Sequence, residues 1–218
     1  MSEPAQAPYF DNHARRNRFP WSLYHSDLGR AIARVVREHG PTPRVLVVGC
    51  GLEPTVPGAP PGAELFGCDV DVRAIEACRA LYPHMTSRLA VCPSENELPS
   101  VGELAGDFDI VLAKEVIEHL RDPGPWARAL TRRVRIGGEL VLSTPNYGWL
   151  STLALLERTV LEWIARRDGY TRTHIHPSKF DRRTFAALDV GDGMDLVRVR
   201  VAPTGWTLLG RWRRVAPA

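Results

Sequence analysis

The stretch Val45-Leu-Val-Val-Gly-Cys-Gly51, followed by Leu65-Phe-Gly-Cys-Asp69, decides the fold. The first is a continuous apolar run ending in a glycine turn, the pattern of a strand buried on both faces of a parallel sheet. Glycines at 49 and 51 let backbone approach a ligand closely, and in such a sheet the ligand lies beyond the carboxyl end of the strand. The second run ends in a carboxylate 20 residues after Gly49. At that spacing an acid can accept both hydroxyls of a ribose.

Working outward, further apolar runs occupy 44–48, 64–68, 88–91, 108–113 and 138–143, and helical spacing recurs at 22–38, 72–81 and 124–134. Strands alternating with helices predict a mostly parallel α/β sheet with helices on both faces. The tail differs: residues 195–201 alternate apolar with basic, and 206–215 form a second strand candidate after Pro203-Thr-Gly205. A short turn between two such runs predicts an antiparallel hairpin at one sheet edge.

The 218 residues suit one domain with a substantial core. Residues 1–218 are read as a single domain, with 1–40 an N-terminal arm and helix and 147–180 an inserted helical lid. The net charge of +3 neither requires nor excludes a nucleic-acid partner. Two arginine clusters, Arg15, Arg16 and Arg18, and Arg211, Arg213 and Arg214, read first as solvated faces. The four cysteines form no CxxC pair, so neither a zinc site nor a disulfide scaffold is suggested and a reducing cytoplasm is expected. The N-terminus lacks the apolar stretch of a signal peptide, and no run matches a membrane-spanning helix.

Two segments carry chemistry. In Glu115-Val-Ile-Glu118-His119 the carboxylates and imidazole stand at i, i+3 and i+4, sharing one face if the segment is helical. Thr173-His174-Ile-His176 offers two more imidazoles. Two carboxylates with one or two histidines suit a divalent ion such as Mg²⁺, Mn²⁺ or Zn²⁺. Without a metal, His119 or a nearby histidine would act as a general base toward an acceptor hydroxyl. Between these segments, Trp149, Leu153, Leu156, Val160 and Trp163 repeat at 4-3-4-3 spacing. Such a stripe reads as core packing or a homodimer surface, with peripheral membrane contact the lesser alternative.

Val45–Gly51 resembles the first motif of class I S-adenosylmethionine-dependent methyltransferases, and Gly67-Cys-Asp69 their acidic second motif. Ser94-Glu-Asn-Glu-Leu-Pro99, the string from Phe108 to Leu120, and Gly137-Gly-Glu-Leu-Val-Leu-Ser-Thr-Pro-Asn146 extend the resemblance. It implies a Rossmann-like, mostly parallel seven-stranded sheet with S-adenosylmethionine at its strand ends. By position it assigns Gly49, Cys50 and Gly51 to the methionine part and Asp69 to the ribose. It counts Val70 among the cofactor-binding residues, puts Ser94 and Glu95 near the adenine, and Lys114 with Glu115 beside the methyl-transfer pocket. The family usually has an acid where Val47 stands and a third glycine where Glu53 stands. The loop from Pro54 to Gly62 is proline-rich where a regular helix would be expected.

Glu-x-x-Glu-His, the following Thr-Pro-Asn and Lys179-Phe180 are similar to two families: ubiquinone-type O-methyltransferases and small-RNA 3′-terminal 2′-O-methyltransferases. The resemblance implies catalytic roles for His119, Glu115 and Glu118, and possible metal ligands in those three with His176. The leading expectation is O-methylation of a small aromatic or quinone-like hydroxyl compound. A 2′-O-methyltransferase of RNA and a non-catalytic cofactor-binding protein remain open.

Overall fold

The computed structural model describes residues 21–148, 151 and 176–216, with side chains from Ser26 onward. The arginines at 15, 16 and 18, the apolar stripe of the inserted segment, Thr173 and His174 lie outside the described residues.

Seven strands form one sheet: β1 (Arg44–Val48), β2 (Glu64–Asp69), β3 (Leu89–Val91), β4 (Phe108–Lys114), β5 (Val134–Pro145), β6 (Met194–Val201) and β7 (Thr207–Arg214). Their spatial order is β3-β2-β1-β4-β5-β7-β6. The first five run parallel, and β7 is antiparallel to both β5 and β6. Among the described residues, four α-helices accompany them: α1 (Trp21–Glu38), α2 (Val72–Leu81), α3 (Pro123–Thr131) and α4 (Arg182–Ala186).

The apolar run of β1 is buried on both faces, as its composition requires. Leu46 and Val48 pack with Phe66, Phe108 and Trp126, while Val45 and Val47 pack with Ile32, Val36 and Ile75. One layer is thus built on α3 and α4 and the other on α1 and α2. Strand order reverses between β1 and β4, and that switch point opens a crevice at the carboxyl ends of the parallel strands.

Boundaries differ from the sequence reading where local geometry intervenes. Pro83–Arg88 form a 3₁₀ turn, so β3 begins at Leu89. α3 ends at Thr131, because β5 starts at Val134 and runs through Gly137 and Gly138. A Cβ on Gly138 would stand 2.7 Å from the Asp109 carbonyl oxygen, so only glycine permits this strand pair its shifted register. Between β1 and β2, residues 49–63 are turns without a helix, as Pro54, Pro57, Pro60 and Pro61 dictate.

The hairpin is joined to the rest of the sheet through one buried acid. Glu139 on β5 is fully buried and receives hydrogen bonds from Arg211 Nε at 2.7 Å and Arg213 Nη2 at 2.8 Å. Arg211 also reaches Glu38 at the end of α1, at 2.8 Å. Arg214 donates to the carbonyl oxygens of Val134 and Ala216. The C-terminal arginine cluster is therefore not the solvated face expected from sequence: it ties β7 to its neighbours, with Arg213 alone half-exposed.

Burial by itself would raise the Glu139 pKa, but hydrogen bonds from His39, Arg211 and Arg213 outweigh it and lower the value from 4.5 to about 2. A depressed folded-state pKa stabilises the protein fully above the unfolded value, and the gain is lost as pH falls from 4.5 through about 2. Urea denaturation should find Glu139→Gln less stable at pH 7 by about 3 kcal/mol, with the difference narrowing toward pH 2.

Candidate active site and family

Gly49 and Gly51 both adopt left-handed conformations, with φ of 64° and 52°. A Cβ on Gly49 would lie 2.5 Å from Val116 Cγ2, so the turn after β1 rests directly on the turn after β4. The Asp69 carboxylate accepts from the Gly51 N–H at 2.8 Å and the Asp71 N–H at 2.9 Å. It thereby joins the glycine turn to the end of β2, and each oxygen keeps lone-pair capacity for a further donor. Asp71 is the N-cap of α2, accepting from Arg73 N–H, and a side-chain hydrogen bond from Arg73 lowers its pKa.

Val70 is 55% exposed beside Asp69. Ser94 and Glu95 sit in an exposed turn after β3, held alongside by the Cys92 N–H to Asp69 carbonyl bond of 2.8 Å. Cys50 is buried, and its hydrogen bond with Cys78, then burial, push the thiol up, leaving it a neutral packing group. Lys114 ends β4 and pairs with Glu53 at 2.6 Å. The acid that replaces the family's third glycine thus bridges the β1 and β4 turns. Val47, where an acid is usual, is an apolar core residue.

The expected helical face at 115–119 is corrected. β4 ends at Lys114, Glu115 has φ of 58°, and only Ile117–His119 form a 3₁₀ turn. A left-handed conformation in a residue other than glycine costs about 1–2 kcal/mol. Here Ser143 holds it: the Glu115 N–H donates to the Ser143 carbonyl at 3.2 Å, and Ser143 Oγ donates to Glu115 Oε1 at 3.2 Å. Glu115 consequently faces β5 through Ser143.

Glu118 is buried and accepts from Thr144 Oγ1 at 3.3 Å. Its carbonyl accepts from Ser178 N–H, Ser178 Oγ donates to the Leu120 carbonyl, and Tyr147 N–H donates to the Phe180 carbonyl. These bonds fasten residues 176–180 along the ends of β4 and β5. His176 is thereby seated against His119, with ring centroids 4.9 Å apart. One ligand atom each from Glu118, His119 and His176 lies within 4.8 Å of the others, and Glu115 is not part of that group.

Sequence reasoning did not single out Tyr147. Its hydroxyl lies 2.6 Å from His176 Nδ1, orienting that ring, and Lys179 Nζ sits 5.1 Å from its ring centroid. Its one sequence signal is adjacency to Thr144-Pro-Asn146; the pairing with His176 depends on a segment 29 residues away.

A family model described as a methyltransferase domain matches residues 16–190. The ubiquinone biosynthesis O-methyltransferase of Caulobacter sp. (strain K31) is 30% identical over 196 residues, covering 86% of this chain and 75% of the relative. That of Aromatoleum aromaticum is 32% identical over 144 residues, 64% of this chain and 60% of the relative. The chain thus aligns with less than two thirds of the length of several such relatives. Among solved structures, magnesium protoporphyrin IX methyltransferase from Synechocystis PCC 6803, with bound SAH, shares the fold at a TM-score of 0.65 and 17% identity, covering 95% and 94% of the two chains. The N-methyltransferase NodS from Bradyrhizobium japonicum WM9 does so at 0.61 and 17%, covering 93% and 91%. The chain belongs to the methyltransferase-domain family and is a class I S-adenosylmethionine-dependent methyltransferase.

Gly49→Ala should weaken S-adenosylmethionine binding, measured calorimetrically, because the methyl collides with Val116 and φ stays positive. Adding Val116→Ala should restore only part of the affinity, since it removes the collision but leaves a left-handed cost of about 1–2 kcal/mol.

Proposed function

We propose that this methyltransferase transfers a methyl group to a hydroxyl oxygen of a small aromatic or quinone-like compound, bound beside Glu118, His119 and His176. The carrying observation is that cluster, gathered at the ends of β4 and β5 and joined through Val116 to the glycine turn. Similarity to ubiquinone biosynthesis O-methyltransferases supports the oxygen acceptor.

Bound at the strand ends, S-adenosylmethionine supplies a sulfonium methyl group open to in-line attack. Asp69 would accept from its ribose hydroxyls, Val70, Ser94 and Glu95 would line the cofactor site with the last two near the adenine, and Gly49 to Gly51 would bring backbone against the methionine part. Lys114, already paired with Glu53, lies beside the methyl-transfer pocket. Positioning two bound reactants provides most of the acceleration. His119 takes the acceptor's proton as the oxygen attacks, and Glu118 stabilises the imidazolium that results.

Donors of the type carboxylate-imidazole-imidazole also fit a borderline divalent ion with an open position. Glu118, His119 and His176 would hold it, with Tyr147 orienting His176. Such an ion would lower the pKa of a coordinated acceptor hydroxyl.

A panel of phenols and quinols with labelled S-adenosylmethionine should yield a labelled ether product. His119→Ala should lower kcat by about 10²–10⁴-fold with little change in cofactor affinity. Unaltered turnover would remove His119 from the mechanism. Mn²⁺ titration should show a single site weakened by Glu118→Gln; full activity in EDTA would exclude the metal and leave the histidine base.

A further inference from the structure

A second concave surface shares no residue with the site above. It lies between α1 and the β6–β7 hairpin, as two adjoining clefts of about 150 and 110 Å³ that have Ala31, Arg34, Arg200 and Leu209 in common. Arg34 comes from α1, while Arg198 and Arg200 come from β6, where two-residue spacing sends alternate side chains to one face.

The charges here divide into two sets. Arg30 faces Asp27 at 3.4 Å, and Arg211 is held by Glu38 and Glu139. Arg34, Arg198 and Arg200 have no hydrogen bond or ion pair among the described residues. Three unpaired guanidinium groups lining one cleft repel one another unless an anion joins them.

Two further atoms point to a ligand. Thr207 lines the larger cleft, is fully buried, and its Oγ1 has no hydrogen-bond partner among the described residues. Asp27 Oδ2, on the α1 side of the same cleft, is also buried without a partner among the described residues. Buried polar atoms left unsatisfied are rare, because each carries the full cost of its lost hydration. A ligand restoring both must donate to the carboxylate and can accept from the threonine hydroxyl.

We propose that this cleft binds a small phosphate ester bearing a free hydroxyl group. The phosphate oxygens accept from Arg34, Arg200 and Thr207, arginine being the side chain whose planar fork suits phosphate. The ester's hydroxyl donates to Asp27, and Arg198 extends the positive field along the groove. Inorganic phosphate supplies the anion without that hydroxyl, so it binds the same place more weakly.

Calorimetry on the full chain with glycerol 3-phosphate and with inorganic phosphate tests this. Both should saturate at one site, the ester more tightly. Arg34→Gln combined with Arg200→Gln should weaken the ester by about tenfold or more, whereas Arg135→Gln, remote from the cleft, should leave it unchanged. Thr207→Val should weaken binding by about three- to tenfold while Tm is unchanged or raised, since the hydroxyl it removes has no partner. Absence of saturation by either probe overturns the proposal, as does equal loss in Arg135→Gln. Length-dependent binding of short single-stranded RNA that displaces the ester would replace it with a nucleic-acid track.

Discussion

The contact between Gly49 and Val116 is the constraint on which the rest of the site depends. The two turns that meet there follow β1 and β4, the strands between which the sheet reverses its order. A side chain at 49 would push them apart, so the absence of one lets the glycine turn and the Glu118–His119 turn share a wall. In a methyl transfer that proximity is the main requirement, because two bound reactants must meet in line. Glu115, held left-handed by Ser143, makes the same junction compact from the other side.

Two buried or half-buried carboxylates then keep the strand ends in place. Asp69 uses its oxygens to join the glycine turn to the start of α2, and Glu139 joins β5 to β7. The second works at the edge of the sheet, and its hydrogen bonds exceed the desolvation that would otherwise protonate it. The hairpin it secures supplies Arg198, Arg200 and Thr207, so the α1 cleft exists because β7 is inserted antiparallel between β5 and β6. The arginines of the C-terminal tail thus fall into unlike roles: 211, 213 and 214 serve the fold, and 198 and 200 remain open to a ligand.

The acceptor side is assembled by a different kind of tie. No element of regular structure carries His176; hydrogen bonds from Ser178 and to Phe180 lay its segment across the strand ends. Backbone donors and acceptors left open where β4 and β5 end are satisfied by that returning chain, and the imidazole pair is the consequence.

Alternation of buried apolar runs with helical spacing was enough to read the parallel sheet, its strand ends and the tail hairpin, because burial on two faces leaves a direct mark on residue type. Gly49, Gly51 and Asp69 were legible for the same reason: each is demanded locally by backbone geometry or by the end of a strand. Glu115, Glu118 and His119 were found as residues but not as geometry. Their spacing allows a helix, and only the contact of Glu115 with Ser143 on the neighbouring strand turns the chain another way. Tyr147 beside His176, and Thr207 lining one cleft with Arg34 and Arg200, join segments distant in sequence. Periodicity records which face of an element is buried, not which distant side chain it meets there, and so those pairings were decided by the tertiary structure alone.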